Sequence, residues 1–326
     1  MGHKVNFRVL FFAPVVLIAA CGGGNGSSGS QAPITVPSPA PSPAPSPTAT
    51  PTPSPIYDNF ANLTAAFQVQ LSTTLNGYVT TKSVDTAIPT EFRQFGSSLG
   101  TLAIKSKDSY LISYGSDQQV FEQTDLRPDY QFISPAFRTF AKLGKSVTAG
   151  GTRDDYLTIY RPDGGTTART FSYTTIGQWV VHLYSADFNR TEKKGYWFVG
   201  GSRTQVEDVP NSGIKSTIGP AHGSLIKNVP IANLDGTISY MVNFSTGEIT
   251  YSLILNRTGF SSLELQGKSG LSSTRSRFSG PIAGGKYVGQ ISGALNGPQA
   301  REVGFTFLLQ SDDGELIEGV AAGSPS

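Results

Sequence analysis

ISYMVNFSTGEITYSLIL, residues 238–255, places apolar side chains at every second position on both sides of the short connection Ser245-Thr246-Gly247. A period of two is typical of a half-buried β-strand, and a short connection containing glycine joins antiparallel neighbours. The segment therefore predicts a β-hairpin that buries one face in a hydrophobic core.

Further strands at even spacing surround this hairpin, and glycine marks the turns between them. They are predicted at residues 213–218, 263–267, 277–280, 287–295, 303–310 and 316–322. With the hairpin this makes about eight antiparallel strands, the number at which a small barrel closes around its own side chains. We therefore predict an all-β chain in which residues 201–326 form an eight-stranded antiparallel barrel. A sandwich that stays open is the alternative.

Residues 56–200 predict a separate β-rich subdomain that precedes the barrel. Alternating patterns indicate strands at residues 99–104, 110–114, 156–160, 169–173 and 179–184. Two other stretches indicate helices, at residues 62–71 and 134–143. The first has apolar residues four apart, and the second has Ser134 as an N-cap, Pro135 at the first helical position and Gly144 just past the end.

The amino terminus predicts a lipid anchor. Lys4 and Arg8 precede an apolar run, residues 9–20, that is too short to span a bilayer and fits a signal peptide. Ile18-Ala19-Ala20-Cys21 resembles the bacterial lipobox, so residues 1–20 should be removed and Cys21, the only cysteine, acylated with chains such as palmitate. By the same resemblance, Gly22 in place of aspartate favours the outer membrane. An ordinary secretory signal with a chance cysteine is the alternative.

A linker is predicted at residues 21–55. It begins with a run of glycine and serine, and it holds 10 of the 21 prolines in an alternation with serine and alanine. Such a composition forms a flexible coil followed by extended polyproline II, which would lift the folded part away from the lipid headgroups.

Charge and chemistry exclude several classes of function. Without Lys4 and Arg8 the chain holds 23 basic and 23 acidic residues, which argues against nucleic acid or an anionic membrane surface as the main partner. Beyond the signal peptide the only histidines are His182 and His222, so metal ligands are scarce. We predict that the protein is not an enzyme.

Three short motifs have simpler explanations than catalysis or metal binding. Ser98 lies in a G-x-S-x-G match, but a strand-like run follows it where a nucleophile elbow needs a helix. Ser212 and Lys215 match S-x-x-K within a turn. Residues 312–315, Asp-Asp-Gly-Glu, lack the alternating oxygen ligands of a calcium loop and predict a hairpin turn.

A partner-binding surface is predicted in the first subdomain. Residues 57–200 hold 23 aromatic residues and residues 201–326 hold 8, although a densely packed sheet would explain the difference equally well. Residues 125–140 combine aromatic and arginine side chains in a segment that contains two prolines, and aromatic residues with arginine are typical of interface hot spots. The predicted contact residues are Arg127, Tyr130, Phe132, Phe137 and Arg138.

The barrel sequence resembles the transferrin-binding-protein-B-like lipoproteins. The likeness rests on Val-Pro-Asn-Ser-Gly at residues 209–213 and on residues 289–307, which keep Gly297, Pro298, Ala300, Glu302 and Gly304 of the family pattern. The chain departs from that pattern with Leu-Asn at residues 295–296 and with Phe305 in place of a glycine.

The resemblance implies one lobe, in which a variable handle of strands precedes the barrel. It also implies a surface-exposed outer-membrane lipoprotein that captures an extracellular protein or a haem-like ligand, with an outer-membrane transporter as a possible further partner. No cofactor is expected, although haem remains possible as a ligand. A structural or adhesive lipoprotein without a small ligand is the competing hypothesis.

Overall fold

In the part of the chain that the structure describes, the regular structure consists of sixteen β-strands and three single-turn 3-10 helices. The computed structural model describes residues 57, 59, 67–80, 91–106, 108–115, 117–129, 136–147, 150–161, 170–186, 191–226, 232–257 and 261–325. The strands are β1 Phe67–Thr80, β2 Glu91–Ser106, β3 Ser109–Tyr114, β4 Asp117–Phe121, β5 Phe137–Ser146, β6 Thr152–Tyr160, β7 Thr174–Tyr184, β8 Thr191–Gly201, β9 Ile214–Ile226, β10 Ala232–Asn243, β11 Glu248–Asn256, β12 Leu263–Leu271, β13 Arg277–Gly284, β14 Tyr287–Asn296, β15 Glu302–Ser311 and β16 Leu316–Gly323. The 3-10 turns are Gln123–Asp125, Val206–Asp208 and Pro298–Ala300.

The predicted all-β architecture is confirmed, and so is the barrel. Strands β9 to β16 form one closed antiparallel barrel, in which β9 pairs with both β10 and β16. The hairpin at residues 238–255 is its β10–β11 pair, with Ile238 opposite Leu253 and Tyr240 opposite Tyr251. Every second side chain enters a single buried core, because strand alternation points those positions inward.

The first eight strands form a second antiparallel sheet, the handle, in the order β4-β3-β2-β1-β8-β7-β6-β5. One face buries its own core, in which Trp179 on β7 and Phe198 on β8 are fully enclosed. The opposite face of β6, β7 and β8 packs on the outer wall of the barrel through Tyr160, Ile176 and Val199, among others. The handle therefore has two buried faces where it meets the barrel.

Both predicted helices are wrong in the part that the structure describes. Residues 67–71 begin β1, which hydrogen-bonds to β2 and β8, and residues 137–143 belong to β5, which pairs with β6. Gly144 adopts φ +68 within an irregular part of the β5–β6 ladder and does not end a helix. Apolar side chains four apart also share one face of a strand, so sheet pairing explains the same pattern.

The strand predicted at residues 169–173 is also wrong, because residues 170–173 lie outside any ladder. Their backbone has another partner: the N–H groups of Ser172 and Tyr173 donate to the carboxylate of Glu302 on β15, at 2.7 and 2.9 Å. This loop therefore ties the handle to the barrel where a strand was expected.

Candidate functional site

The segment that leaves β4 is held firmly at its base. The backbone N–H of Glu122 donates to the Asp125 side chain at 2.8 Å, and Lys142 on β5 forms an ion pair with Asp125 at 3.0 Å. Leu126 then bridges Phe140 on β5, and the N–H of Arg127 donates to the carbonyl of Thr139 at 2.8 Å. This pairing links the two edge strands of the handle sheet.

The two predicted arginines are both engaged within the handle. The Arg127 guanidinium donates to the carbonyl oxygens of Thr124 and Leu126, each at 3.2 Å, and is half-buried. Arg138 on β5 donates to both carboxylate oxygens of Asp108, at 2.9 and 3.0 Å. Arg127 thus shapes the turn that precedes the exposed residues Pro128 and Asp129, and Arg138 ties β5 to the β2–β3 turn.

The predicted aromatic residues fall in two groups. Tyr130 and Phe132 lie outside the described residues. Phe137 is 7% exposed and packs edge-on against Tyr160 on β6, with 5.1 Å between ring centroids, and against His222 on β9, with 4.7 Å. The ring of Phe137 therefore faces the barrel and joins the two halves of the molecule.

Polar groups fix this junction in addition to the apolar cluster. Besides the bonds that Glu302 accepts from Ser172 and Tyr173, the Asn296 amide donates to the Thr174 hydroxyl at 3.0 Å. Burial raises the pKa of Glu302, and the two backbone donors partly oppose that rise. In the sequence, Glu302 stood out only through the family pattern. Its contact with the handle could not be predicted, because the N–H group of Tyr173 that it binds lies 129 residues earlier in the chain.

Gly304 on β15 lies where the handle approaches the barrel closely. A methyl group built on Gly304 would stand 2.4 Å from a methyl of Val199 and 2.8 Å from the methyl of Thr174. Only hydrogen fits at this position, so the family-pattern glycine allows the handle to lie directly on the barrel wall.

Both histidines of the described residues contact a neighbouring side chain through Nδ1. His182 Nδ1 lies 3.2 Å from the Tyr184 hydroxyl, its Nε2 is buried without a hydrogen-bond partner in the described part of the chain, and burial lowers its pKa to about 4. His222 Nδ1 lies 2.8 Å from a carboxylate oxygen of Asp235. Within the described ranges no three His, Cys, Asp or Glu side chains group as metal ligands.

Ser98 and residues 312–315 are placed as predicted, whereas the S-x-x-K match leaves its predicted turn and ends with Lys215 on β9. Ser98 lies inside β2, which runs without interruption from Glu91 to Ser106, so no strand-to-helix elbow forms there. The Lys215 ammonium donates to the carbonyl oxygen of Gln299 at 2.6 Å. Residues 312–315 connect β15 to β16, with Gly314 at φ +83.

Tyr57, the first residue that the structure describes, binds beside the Pro298–Ala300 turn of the barrel. The Tyr57 hydroxyl donates to Asp208 at 2.7 Å and accepts the N–H of Gln205 at 3.2 Å. The N–H of Gln299 donates to the same Asp208 carboxylate at 2.8 Å. Residues 1–56, which include Cys21 and the predicted linker, lie outside the described residues.

No helix with the length and apolarity needed to cross a bilayer occurs among the residues that the structure describes.

No protein-family model matches the sequence, and no curated protein does. Solved structures do match.

A double mutant of transferrin binding protein B from Haemophilus parasuis Hp5 is 16% identical, with a TM-score of 0.41, over 77% of this chain and 44% of that one. The chain therefore spans less than half the length of that relative. The haemoglobin receptor HpuA from Kingella denitrificans is 17% identical, with a TM-score of 0.42, over 80% of this chain and 87% of that one. Transferrin binding protein B from serogroup B Neisseria meningitidis is 10% identical, with a TM-score of 0.35, over 81% of this chain and 77% of that one.

Proposed function

We propose that the chain is a non-enzymatic, surface-exposed lipoprotein of the outer membrane that captures an extracellular protein through the loop between β4 and β5. The observation that carries this proposal is the attachment of both ends of that loop. Leu126 and Arg127 pair with β5 at one end, and Phe137 packs against His222 of the barrel at the other. These attachments fix where the loop leaves the handle sheet and where it rejoins it, and binding residues are often carried by loops on such a scaffold.

The contact surface in this proposal is centred on residues 127–132. Pro128 and Asp129 are exposed, and Arg127 shapes the turn that presents them. Tyr130 and Phe132 follow directly in the sequence and supply the rings that commonly dominate binding energy at protein interfaces. Phe137 and Arg138 contribute indirectly, because their contacts hold the end of the loop.

Anchoring belongs to the same proposal. Acylation at Cys21 would attach the chain to the membrane, and residues 22–55 would space the folded body from it. The extracellular protein would then bind the handle loop, and a separate outer-membrane transporter would take up what that protein carries. Transferrin binding protein B and the haemoglobin receptor HpuA supply the analogy for a protein partner, and the relation to this chain is one of fold.

Capture of protein from the extracellular fluid by cells that display the full chain tests the proposal. The double variant Tyr130→Ala, Phe132→Ala should weaken capture by at least about thirtyfold, the loss expected for hot-spot rings. Met241→Ala is the matched control, because Met241 is an exposed large apolar residue on the barrel wall, 41% accessible and far from the loop in sequence.

Equal capture by wild type, the double variant and the control would remove the loop from the proposal. Titration of the purified chain with haemin distinguishes a haem-like ligand from a protein partner. If the chain binds haem, the Soret band of haemin should shift and the shift should saturate at a stoichiometric ratio. Protease treatment of intact cells tests surface exposure, since a shielded handle cannot meet an extracellular protein. Failure to capture any protein or haemin by a surface-exposed chain would favour the adhesive alternative.

A further inference from the structure

Two arginines flank strand β14 where the handle gives way to the barrel. Arg203 follows directly after β8 and forms an isolated antiparallel bridge with Asn296 on β14. Arg277 begins β13 and pairs with Ala294 on the other side of β14. Directly paired residues point to the same face of a sheet, and residues 294 and 296 share a face because they are two apart. Both arginines therefore stand on one face, with β14 between them.

This face is the outside of the barrel. Leu295, which lies between residues 294 and 296, belongs to the buried barrel core, so its two neighbours point outward. Neighbouring strands lie about 4.8 Å apart, so the segments that carry the two arginines are separated by roughly 10 Å. Ala294 has a short side chain, and two arginine side chains are long enough to meet above it. Both guanidinium groups can thus reach one ligand.

Neither arginine has a partner that balances its charge. In the part of the chain that the structure describes, no hydrogen bond or ion pair joins the guanidinium group of Arg203 or Arg277 to another residue. The Nε atom of Arg203 is buried and lacks an acceptor there. Burial lowers the pKa of Arg203, and the nearby charge of Arg277 lowers it further. The two cations therefore repel each other across the surface of β14.

Two carboxylates of the surrounding segments are bound elsewhere. Asp208, on the connection that follows β8, accepts the Tyr57 hydroxyl and the N–H of Gln299. Glu302 on β15 accepts two N–H groups of the handle. A buried donor without an acceptor lowers the stability of the fold, and two like charges side by side lower it further. An anion held between the arginines would remove both penalties.

We propose that Arg203 and Arg277 form a binding site for a phosphate group, separate from the protein-capturing loop. A phosphate monoester carries close to two negative charges at neutral pH and three acceptor oxygens. It therefore matches two positive charges and the forked N–H groups of two guanidinium ions, whereas a carboxylate would balance only one of them. The phosphate group can belong to a soluble ester or to a lipid headgroup, because the chemistry of recognition is the same.

Calorimetric titration of the full chain, in neutral detergent at neutral pH and low salt, with glycerol phosphate tests the site. We expect saturable binding of one phosphate group per chain, at least about tenfold tighter than binding of acetate. Arg277→Gln should weaken phosphate binding by about tenfold or more, because it removes one charged donor group. Arg277 is exposed, so this change should leave the fold intact. Arg203→Lys keeps the charge but loses the fork, and it should weaken binding by a smaller factor.

Arg301→Gln is the matched control. It removes an exposed arginine from the same end of the barrel, and the charge of Arg301 acts on Lys215 and not on Arg203. Phosphate affinity should therefore stay within about twofold of the wild type. Melting curves add a second measurement, since glycerol phosphate should raise the melting temperature of the wild type and of Arg301→Gln but not that of Arg277→Gln.

Dioctanoyl phosphatidic acid distinguishes the two sources of the phosphate group. Tighter binding than that of glycerol phosphate, weakened by Arg277→Gln, would assign a lipid headgroup, and equal or weaker binding would assign a soluble ester. Binding that does not saturate, or that Arg301→Gln weakens as much as Arg277→Gln does, would overturn the site. Acetate that binds as tightly as glycerol phosphate would overturn the assignment to phosphate.

Discussion

Gly304→Ala tests whether the handle and the barrel form one tightly packed unit. The added methyl group would stand 2.4 Å from a Val199 methyl and 2.8 Å from the Thr174 methyl. Val199 and Thr174 are 4% and 2% exposed, so neither side chain has solvent to move into. Overpacking of this kind typically costs about 1–3 kcal/mol in the free energy of unfolding. Gly304→Val adds two more methyl groups and should cost more.

Thermal melting of the purified chain measures this loss. For a folded body of this size, the cost corresponds to a melting temperature lowered by roughly 2–10 °C. Gly270→Ala on β12 is the matched control, because no atom lies within 4 Å of the methyl group that it would add. Its free energy of unfolding should change by less than about 0.5 kcal/mol.

A double-mutant cycle assigns the cost to the junction. Val199→Ala removes the methyl groups that the new side chain meets, so the double variant should be more stable than the sum of the single effects predicts, by about 1 kcal/mol. Strict additivity, or a melting curve for Gly304→Ala like that of Gly270→Ala, would refute the close approach of the handle to the barrel.

Three further changes test other parts of the structure. Glu318 on β16 is 1% exposed, and burial raises its pKa to about 8 from 4.5. The folded chain therefore holds a proton that the unfolded chain releases, so wild-type stability should fall as the pH rises from about 4.5 to 8. Between pH 5 and pH 8 the free energy of unfolding of Glu318→Gln should fall less than that of the wild type, by on the order of 3 kcal/mol. A denaturation midpoint that shifts equally in both proteins over this range would contradict the prediction. Phe137→Ala should lower the free energy of unfolding by about 3–5 kcal/mol through a cavity at the junction, as measured by denaturant titration, whereas an unchanged midpoint would place the ring at the surface. Cys21→Ser should release the chain from membranes during carbonate extraction, and retention in the pellet would exclude the lipid anchor.

The barrel could be predicted from its sequence because each strand has one face in the core and one in a different environment. That asymmetry repeats every two residues, so each barrel strand was predicted to begin within a few residues of its observed start, although β9, β12 and β13 run on to residues 226, 271 and 284, beyond their predicted ends at 218, 267 and 280. The turns were also predictable, since Gly247 and Gly314 adopt positive φ at hairpin connections.

The handle was less predictable because stretches of β6, β7 and β8 are buried on both faces where they meet the barrel, which removes the alternation with a period of two. Phe67 and Leu71 show a spacing of four that fits both a helix and one face of a strand, and only the ladders from β1 to β2 and β8 distinguish the two. Gly144 is a similar case. It does adopt a positive φ, as expected for a glycine past the end of a helix, but it lies in an irregular part of the β5–β6 pairing.

Local sequence thus determines which residues form the barrel strands, where they turn and where a lipid could be attached. It does not determine which surface an aromatic side chain covers, because that depends on elements far away in the chain. Phe137 lies in a segment with the composition of an interface hot spot, but its ring packs against His222, 85 residues later in the chain. Glu302 reaches back to Ser172 and Tyr173 in the same way. Such contacts arise only when the sheet closes and the handle packs on it, since burial and hydrogen bonding are properties of the assembled surfaces.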